Sequence, residues 1–219
     1  DVIHHNDVIL TFGSTPLLRK VLLMAAAEKR FRLIIVDSRP QNDSLKTLRA
    51  LSPFVDCVYT PLSGAANLAK EATRVILGAS AMLSNGSMLA AAGNAMVASL
   101  AKSKLIPVIA VCESYKFSER VQLDSIVHNE LGSTREIAVA DGKGGVSTQL
   151  SAGYCGAAKQ HDNTTLPFNV VNLRYDCTPI GNISAVATET GLIPPTSVPV
   201  LIRELRAELE RNSENSGGH

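Results

Sequence analysis

Short apolar runs alternate with amphipathic runs along most of this chain, and this alternation constrains the fold strongly. Runs at 7–12, 33–36, 55–59 and 108–112 have the length of strands and are rich in Val, Ile and Leu. Strands that alternate with helices form parallel sheets with right-handed crossovers. The sequence therefore predicts an α/β fold, a Rossmann-like doubly wound and mainly parallel sheet with helices on both faces.

Helical spacing and capping residues predict the helices that connect these strands. Pro16 suits a first helical position, and Ser14 or Thr15 can cap that helix. A last strand is predicted at 168–173, followed by a helical segment from Pro179 to near Gly191. The other helices are predicted at 16–29, 45–51, 65–77 and 197–210.

The stretch 78–102 is where a ligand-binding or catalytic site would be expected in such a fold. Residues 79–83 form a short apolar run that ends at the turn signal Asn85-Gly86, and the Ala-rich run 88–102 has helical spacing. The pattern predicts a strand, a tight turn and a helix, and ligands collect where strands end and helices begin. Between Ser80 and Ser87 the sequence has no acidic, basic or activated nucleophilic residue.

Length and local composition predict the domain organisation. The 219 residues suit one domain of ordinary size, and we expect it to span 1–210. Residues 132–166 predict a long, partly mobile insertion, and 211–219 predict a disordered tail. Because the chain begins with Asp1 rather than Met, we expect it to be part of a longer protein.

Composition argues against several functional classes. The net charge of +1 and the 4% aromatic content argue against a nucleic-acid surface, and no apolar run approaches the roughly 18 residues of a membrane helix. The sequence shows no signal-peptide pattern. It also has no CxxC pair, so no zinc site or other metal site is predicted. We expect reduced thiols and a cytoplasmic location.

The first two strand ends carry candidate phosphate and ribose ligands. Gly13, Ser14 and Thr15 at a helix start can offer N–H groups to a phosphate, and Asp37 ends the second strand, where dinucleotide folds place the acid that holds a ribose. The glycine fingerprint of such folds is missing, so a helix cap and a turn are favoured. Arg39 suits either a phosphate or an ion pair with Asp37, and both readings stay open.

Other polar residues have a structural explanation beside a functional one. Ser80 has no histidine base nearby, so a small polar core residue is favoured over a nucleophile. Asp176 and Glu189 flank predicted helix ends, where capping and backbone bonding are expected. The run from Tyr115 to Arg120 follows a strand and combines aromatic and basic side chains, which is typical of subunit interfaces, although a loop anchor is the alternative.

Several stretches resemble the alpha, beta and delta subunit family of translation initiation factor 2B, and within it the carboxy-terminal half of delta. The resemblance covers nearly the whole chain up to about Arg203. The stretches that carry it are VILTFGS from Val8, VDSRP from Val36, SNGS from Ser84, CESYKFSERVQ from Cys112, NEL from Asn129, YDCTP from Tyr175, TETGLIP from Thr188 and SVPV from Ser197. Residues 132–166 depart from the delta pattern.

The same family contains sugar-phosphate isomerases, and the resemblance implies that this chain has lost their chemistry. Those enzymes carry an acidic residue where this chain has Ser80, and an Asn-Lys pair where it has Ala90-Ala91. Isomerisation moves protons and needs a titratable group within reach of the sugar. The expected pocket is vestigial, without catalytic residues or a cofactor, and is lined by Gly13, Ser14, Asp37, Arg39, Ser80, Asn85 and Gly86.

The resemblance also implies a function and partners. It implies a non-catalytic regulatory and scaffolding subunit of the guanine nucleotide exchange factor for translation initiation factor 2. Such a subunit assembles with beta and alpha subunits and helps to sense phosphorylated initiation factor 2. The residues expected at a subunit face are Tyr115, Phe117, Arg120, Val171 and Tyr175. A sugar-phosphate isomerase is the alternative, and a nucleotide-binding module is a third reading.

Overall fold

The computed structural model describes residues 2–126, 129–133, 136–137, 139–140, 146–147 and 171–216. The helices are α1 Pro16–Glu28, α2 Ser44–Leu51, α3 Ala65–Leu68, α4 Asn94–Ser103 and α5 Val198–Ser216. The strands are β1 Val8–Phe12, β2 Arg32–Asp37, β3 Asp56–Pro61, β4 Arg74–Gly78, β5 Ala81–Leu83, β6 Met88–Ala91, β7 Val108–Val111, β8 Phe117–Ser118, β9 Val139–Ala140, β10 Val146–Ser147, β11 Tyr175–Thr178, β12 Ala185–Thr188 and β13 Gly191–Ile193.

The main sheet has seven strands in the order β13-β12-β7-β4-β1-β2-β3. The six strands from β3 to β12 run parallel, and β13 pairs antiparallel with β12 at one edge. Counting the parallel strands along the chain gives the Rossmann order 3-2-1-4-5-6, which reverses direction between β1 and β4. The predicted doubly wound fold is therefore confirmed.

Alternating side chains of the central strands supply two separate cores, one on each face of the sheet. Leu10 of β1 belongs to the core that packs under α3, α4 and α5, together with Val97 of α4. The adjacent Ile9 belongs to the opposite core, with Leu18 of α1 and Leu51 of α2. Because strand side chains point alternately to the two faces, a fully apolar strand can bury both of its faces, as the sequence predicted.

A second, four-stranded sheet contains the predicted strand and turn at 79–86 and replaces the first residues of the helix predicted at 88–102. Its order is β11-β6-β5-β8, and β5 and β6 form a hairpin whose turn contains Gly86 at φ 76°. The turn at Asn85-Gly86 was predicted, but the predicted start of the helix at Met88 was wrong. The parallel strand β4 ends at Gly78, and α4 begins only at Asn94, after Gly93 at φ 117°. Gly93 was the local signal, since glycine weakens a helix interior.

Two other predicted helices were wrong because β-branched residues form strands there. The predicted helix 65–77 is the short helix α3 followed by β4, whose Val75 and Ile76 are completely buried in the main sheet. The segment predicted to be helical from Pro179 contains one turn of 3-10 helix and the pair β12 and β13. Thr178, which directly precedes Pro179, lies in β11.

The structure tests the predicted carboxy-terminal tail but covers little of the predicted insertion. Helix α5 continues to Ser216, six residues beyond its predicted end and into the segment predicted to be disordered. Most of the predicted insertion 132–166, and the first residues of the predicted strand 168–173, lie outside the described residues. The domain limits stay a prediction. In the described part of the chain, no helix combines the length and apolarity that crossing a bilayer requires.

Candidate functional site

A shallow cleft of about 170 Å³ lies at the carboxyl ends of β1 and β2, where the second sheet approaches the main sheet. Ligands of doubly wound folds bind at this edge. Two of the predicted pocket residues, Gly13 and Asp37, line the cleft. Its full lining is Phe12, Gly13, Asp37, Ser38, Gln41, Asp43, Ala91, Ala92, Arg174 and Tyr175.

The backbone of Gly13 is already bonded to helix α2. Its N–H donates to Ser44 Oγ at 2.8 Å, and its carbonyl accepts from Thr47 Oγ1 at 3.1 Å. Ser44 Oγ in turn donates to the carbonyl of Val36 at 2.6 Å. Thr15 is a helix cap, which was the structural alternative to a phosphate site: its Oγ1 accepts from the N–H of Leu18 at the start of α1. The Gly13 N–H group predicted for a phosphate is therefore occupied.

The carboxylate of Asp37 is buried and fully engaged within the protein. Its Oδ1 accepts the N–H of Ser38 at 2.9 Å and that of Ser44 at 3.3 Å. Its Oδ2 accepts the hydroxyl of Tyr59 at 2.7 Å. Burial, followed by this bond to Asp37, raises the pKa of Tyr59 to about 12. Asp37 holds the β2 end, the α2 start and β3 together, which accounts for its chemistry without a ribose.

The other charged residues of the cleft are paired as well. Asp43 accepts from Lys46 Nζ at 2.7 Å, and Arg174 Nη2 donates to Glu136 Oε1 at 3.0 Å. Arg39, which could have gripped a phosphate, is exposed and does not line the cleft. Among the residues that line the cleft, the cation Arg174 is already paired and the Asp37 carboxylate is negative, so the cleft has little to offer a phosphate dianion, which binds tightly where an unpaired cation meets it.

Four further residues predicted for the pocket lie outside the cleft. Ser80 is exposed rather than in the core, where it was expected, and its N–H donates to the carbonyl of Leu89 at 2.8 Å. Asn85 donates to the carbonyl of Gln122 at 3.1 Å, at the far end of the β5–β6 hairpin. Gly86, which follows Asn85 in the hairpin turn, lies against Ile180 of the 3-10 turn at 180–182. The side chain of Ser14 accepts from Arg19 Nη1 at 2.7 Å.

The crevice where the strand order reverses is closed by close packing. A Cβ at Gly78, the last residue of β4, would lie 2.3 Å from Thr15 Oγ1 at the start of α1. A Cβ at Gly93 would lie 2.3 Å from Cζ of Phe12, which ends β1. The close approach of the protein's own atoms therefore explains why residues without a side chain stand at positions 78 and 93.

The residues predicted at a subunit face are exposed to different degrees. Tyr115, Arg120 and Val171 are exposed. Phe117 is half-buried in β8 and packs against the main core, and Tyr175 is half-buried beside the cleft. The segment after β7 exposes further apolar side chains that the sequence did not single out, and these are Val121, Leu123, Ile126 and Leu131.

The turn Ser114–Lys116 that precedes β8 is held by charged groups. Glu113 pairs with Lys116 Nζ at 2.7 Å and accepts the hydroxyl of Tyr115 at 3.3 Å. The carboxylate of Glu189 accepts the N–H of Ser114, and this bonding lowers the pKa of Glu189. Backbone bonding was expected of Glu189, although the helix end predicted beside it is a β-turn.

The residues that sequence reasoning missed are those paired across long stretches of chain. At the cleft, hydrogen bonds join Tyr59, Ser44 and Arg174 to partners that are 8 to 38 residues away in sequence. The spacing of neighbouring residues does not predict such pairs. Among the described residues, no three His, Cys, Asp or Glu side chains are grouped closely enough to hold a metal ion.

Comparison with known proteins adds a family and several relatives. The model of the Initiation factor 2 subunit family matches residues 1–195. Over 209 residues the chain is 40% identical to the translation initiation factor eIF2B subunit delta of Dictyostelium discoideum, covering 94% of this chain and 32% of that protein. The Schizosaccharomyces pombe subunit of the same name is 37% identical, over 93% of this chain and 43% of its own length. The chain thus spans less than half of these relatives.

More distant similarity reaches an enzyme and a solved assembly. The ribose 1,5-bisphosphate isomerase of Methanocaldococcus jannaschii is 26% identical over 95% of this chain and 62% of the enzyme. A chain in the crystal structure of the tetrameric eIF2B-beta2-delta2 complex from C. thermophilum superposes with a TM-score of 0.66 and 26% identity. That match covers 84% of this chain and 51% of the other.

Proposed function

Because this chain belongs to the Initiation factor 2 subunit family, we propose that it is part of a non-catalytic, delta-type subunit of an exchange factor for translation initiation factor 2. The protein assembles with beta and alpha subunits in the cytoplasm and helps to sense phosphorylated initiation factor 2. The two relatives that share 40% and 37% of its residues both carry the delta name, which supports this choice over an isomerase.

Exposed apolar side chains on the segment after β7 carry this proposal. Leu123 is 90% exposed and Ile126 75% exposed, and the exposed Leu131 pairs with Leu173 close to the exposed Val171. Large apolar side chains that stay in water favour burial against a partner. The core of a stable subunit interface is rich in such groups.

The pairing within the cleft supports a role without catalysis. Ala91 and Ala92 give one wall no charge, and Asp37, Asp43 and Arg174 are bonded within the protein. Proton transfer to a sugar carbon needs a titratable group that is free to act on it. The exposed hydroxyl of Ser80 is too weak an acid or base to serve.

Co-purification of the full-length protein with its beta subunit tests the assembly. We expect Leu123→Asp and Ile126→Asp to abolish stable complex formation while leaving the thermal unfolding temperature unchanged. Met24→Asp is the matched control, because Met24 is an exposed apolar residue of α1 on another part of the surface. Normal assembly of both variants would contradict the proposed interface.

An activity assay tests the alternative function independently. The full-length protein is incubated with ribose 1,5-bisphosphate and with methylthioribose 1-phosphate, and ketose formation is followed. We expect no turnover of either compound. Turnover that is lost on Ser80→Ala would establish an isomerase and overturn the non-catalytic assignment.

A further inference from the structure

The turn Ser114–Lys116 presents one large aromatic side chain to solvent. Tyr115 is 77% exposed, although tyrosine rings generally bury much of their surface. Its ring is nevertheless held on two sides. The hydroxyl donates to Glu113 Oε1 at 3.3 Å, and Lys116 Nζ lies 5.7 Å from the ring centroid. Tyr115 is thus exposed and oriented at the same time.

The base of this turn is internally neutral. Lys116 Nζ lies 2.7 Å from Glu113 Oε2, and both side chains are about three-quarters buried, at 26% and 23% exposure. A cation near a tyrosine ring is attracted by its electron-rich face. The pair therefore supports the ring while its own two charges compensate each other.

Glu189 ties the same turn to the main sheet. It lies in the turn between β12 and β13, and its two carboxylate oxygens accept the N–H of Ser114 at 3.2 and 3.1 Å. The bond spans 75 residues of chain. A hydrogen bond to an ionised carboxylate is stronger than a neutral one, so Glu189 fixes the residue directly before Tyr115.

We propose that Glu189 is a positioning residue that presents Tyr115 as an anchor for a partner subunit of the same fold, an inference that rests on the proposed function. Ordering an exposed side chain before association removes an entropy cost that the complex would otherwise bear. Tyrosine is among the residues that most often dominate interface energetics. Glu189 thereby contributes to affinity without contacting the partner.

The part of the Tyr115 side chain that is still free for contact indicates what kind of pocket on the partner subunit would bind it. Its hydroxyl is taken by Glu113 and one side of its ring by Lys116, so apolar ring surface is left for contact. The anchor suits an apolar pocket rather than a charged one. Because no charge crosses this contact, its contribution to affinity should depend little on salt concentration.

The affinity of the full-length protein for its beta subunit, measured for single and double variants, tests the inference. We expect Tyr115→Ala to weaken binding about 30-fold, as for an interface hot spot. Glu189→Ala should weaken it roughly 2- to 10-fold, and Glu189→Gln, which keeps an acceptor oxygen, should recover most of this. In the Tyr115→Ala background, Glu189→Ala should have no further effect, because the two residues act through one contact.

The controls separate this inference from the proposed function. Glu71→Ala removes an exposed carboxylate that precedes β4, at the amino end of the parallel strands, whereas Glu189 follows the carboxyl end of β12; this variant should leave affinity unchanged. Absence of binding by the natural protein would overturn the proposed function and the inference together. Normal binding by Tyr115→Ala would overturn the anchor while assembly stands. Additive effects of the two substitutions would show that Glu189 does not act through Tyr115.

Discussion

The carboxylate of Asp176 caps a helix to which it is not adjacent in sequence. Asp176 Oδ2, on β11, accepts the N–H of Gly93 at 2.7 Å, and that of Ala95 at 2.9 Å, at the start of α4. Its Oδ1 is buried and has no hydrogen-bond partner among the described residues. Burial raises the pKa of Asp176 to about 6, although the two N–H bonds oppose this.

Asp176 should make stability depend on pH in the acidic range. Its pKa is about 6 in the folded chain against an ordinary 3.8, so between these values the folded state holds a proton that the unfolded state has released. The free energy of unfolding therefore falls as pH rises from 4 through 6, by up to about 3 kcal/mol from this residue.

Urea denaturation from pH 4 to 7 measures this effect when natural protein is compared with Asp176→Asn. The asparagine keeps an acceptor oxygen for Gly93 and Ala95 but cannot titrate. The variant should lack the downward slope through pH 6. If the two proteins show parallel curves, Asp176 does not titrate in this range.

Gly78 should not tolerate a side chain. Its added Cβ would lie 2.3 Å from Thr15 Oγ1 and 2.7 Å from Thr15 Cγ2, so Gly78→Ala forces β4 and α1 apart. We expect a loss of about 1–3 kcal/mol in the free energy of unfolding, measured by urea denaturation. Gly181→Ala is the matched control, since its Cβ would meet only the flexible end of Lys102 at 3.2 Å. Equal stability of the two variants would contradict close packing at the β1–β4 crevice.

The bond between Tyr59 and Asp37 should be visible in a tyrosine titration. Burial and the neighbouring carboxylate raise the pKa of Tyr59 to about 12. Asp37→Asn removes the negative charge that opposes phenolate formation, so the pKa of Tyr59 should fall. Spectrophotometric titration, with Tyr59→Phe as the reference that identifies the signal, measures the change. An unchanged titration in Asp37→Asn would mean that Tyr59 does not donate to Asp37.

Cys112 should be chemically inert while the chain is folded. Burial raises the pKa of its thiol to about 12, and the thiolate is the form that reacts. Alkylation at pH 8 followed by peptide mass analysis should find Cys112 unmodified in the native protein and modified in urea. Equal rates of modification in the two states would show that this strand end opens readily.

The local sequence pattern predicted secondary structure correctly where a strand is buried on both faces or where a segment contains a cap or turn motif. The apolar runs of β1, β2 and β7 identified three inner parallel strands, since strands covered by helices on both sides must be apolar throughout, and the run at 55–59 identified β3 at the edge of the sheet. Thr15 and Pro16 marked the start of α1, because a cap bonds to residues two or three positions away. Asn85-Gly86 marked a turn for the same local reason.

Short apolar segments were the ones that local pattern misassigned. Met88 to Ala91 fits helical spacing and strand spacing equally well, because four residues do not distinguish a period of 3.6 from one of 2. Pairing with β11, more than 80 residues away, makes it a strand. The same holds for β4 and β12, whose neighbours in the sheet come from distant parts of the chain.

The sequence by itself determined the class of fold and, through its resemblances, the family, because strand and helix periods and short motifs are written in neighbouring residues. Tertiary structure alone decided which polar groups meet. It brought Ser44 to Gly13, Tyr59 to Asp37, Glu189 to Ser114 and Asp176 to Gly93. Each of these bonds depends on how separate strands align across a sheet, and strand alignment follows from burial of the whole core rather than from any local segment.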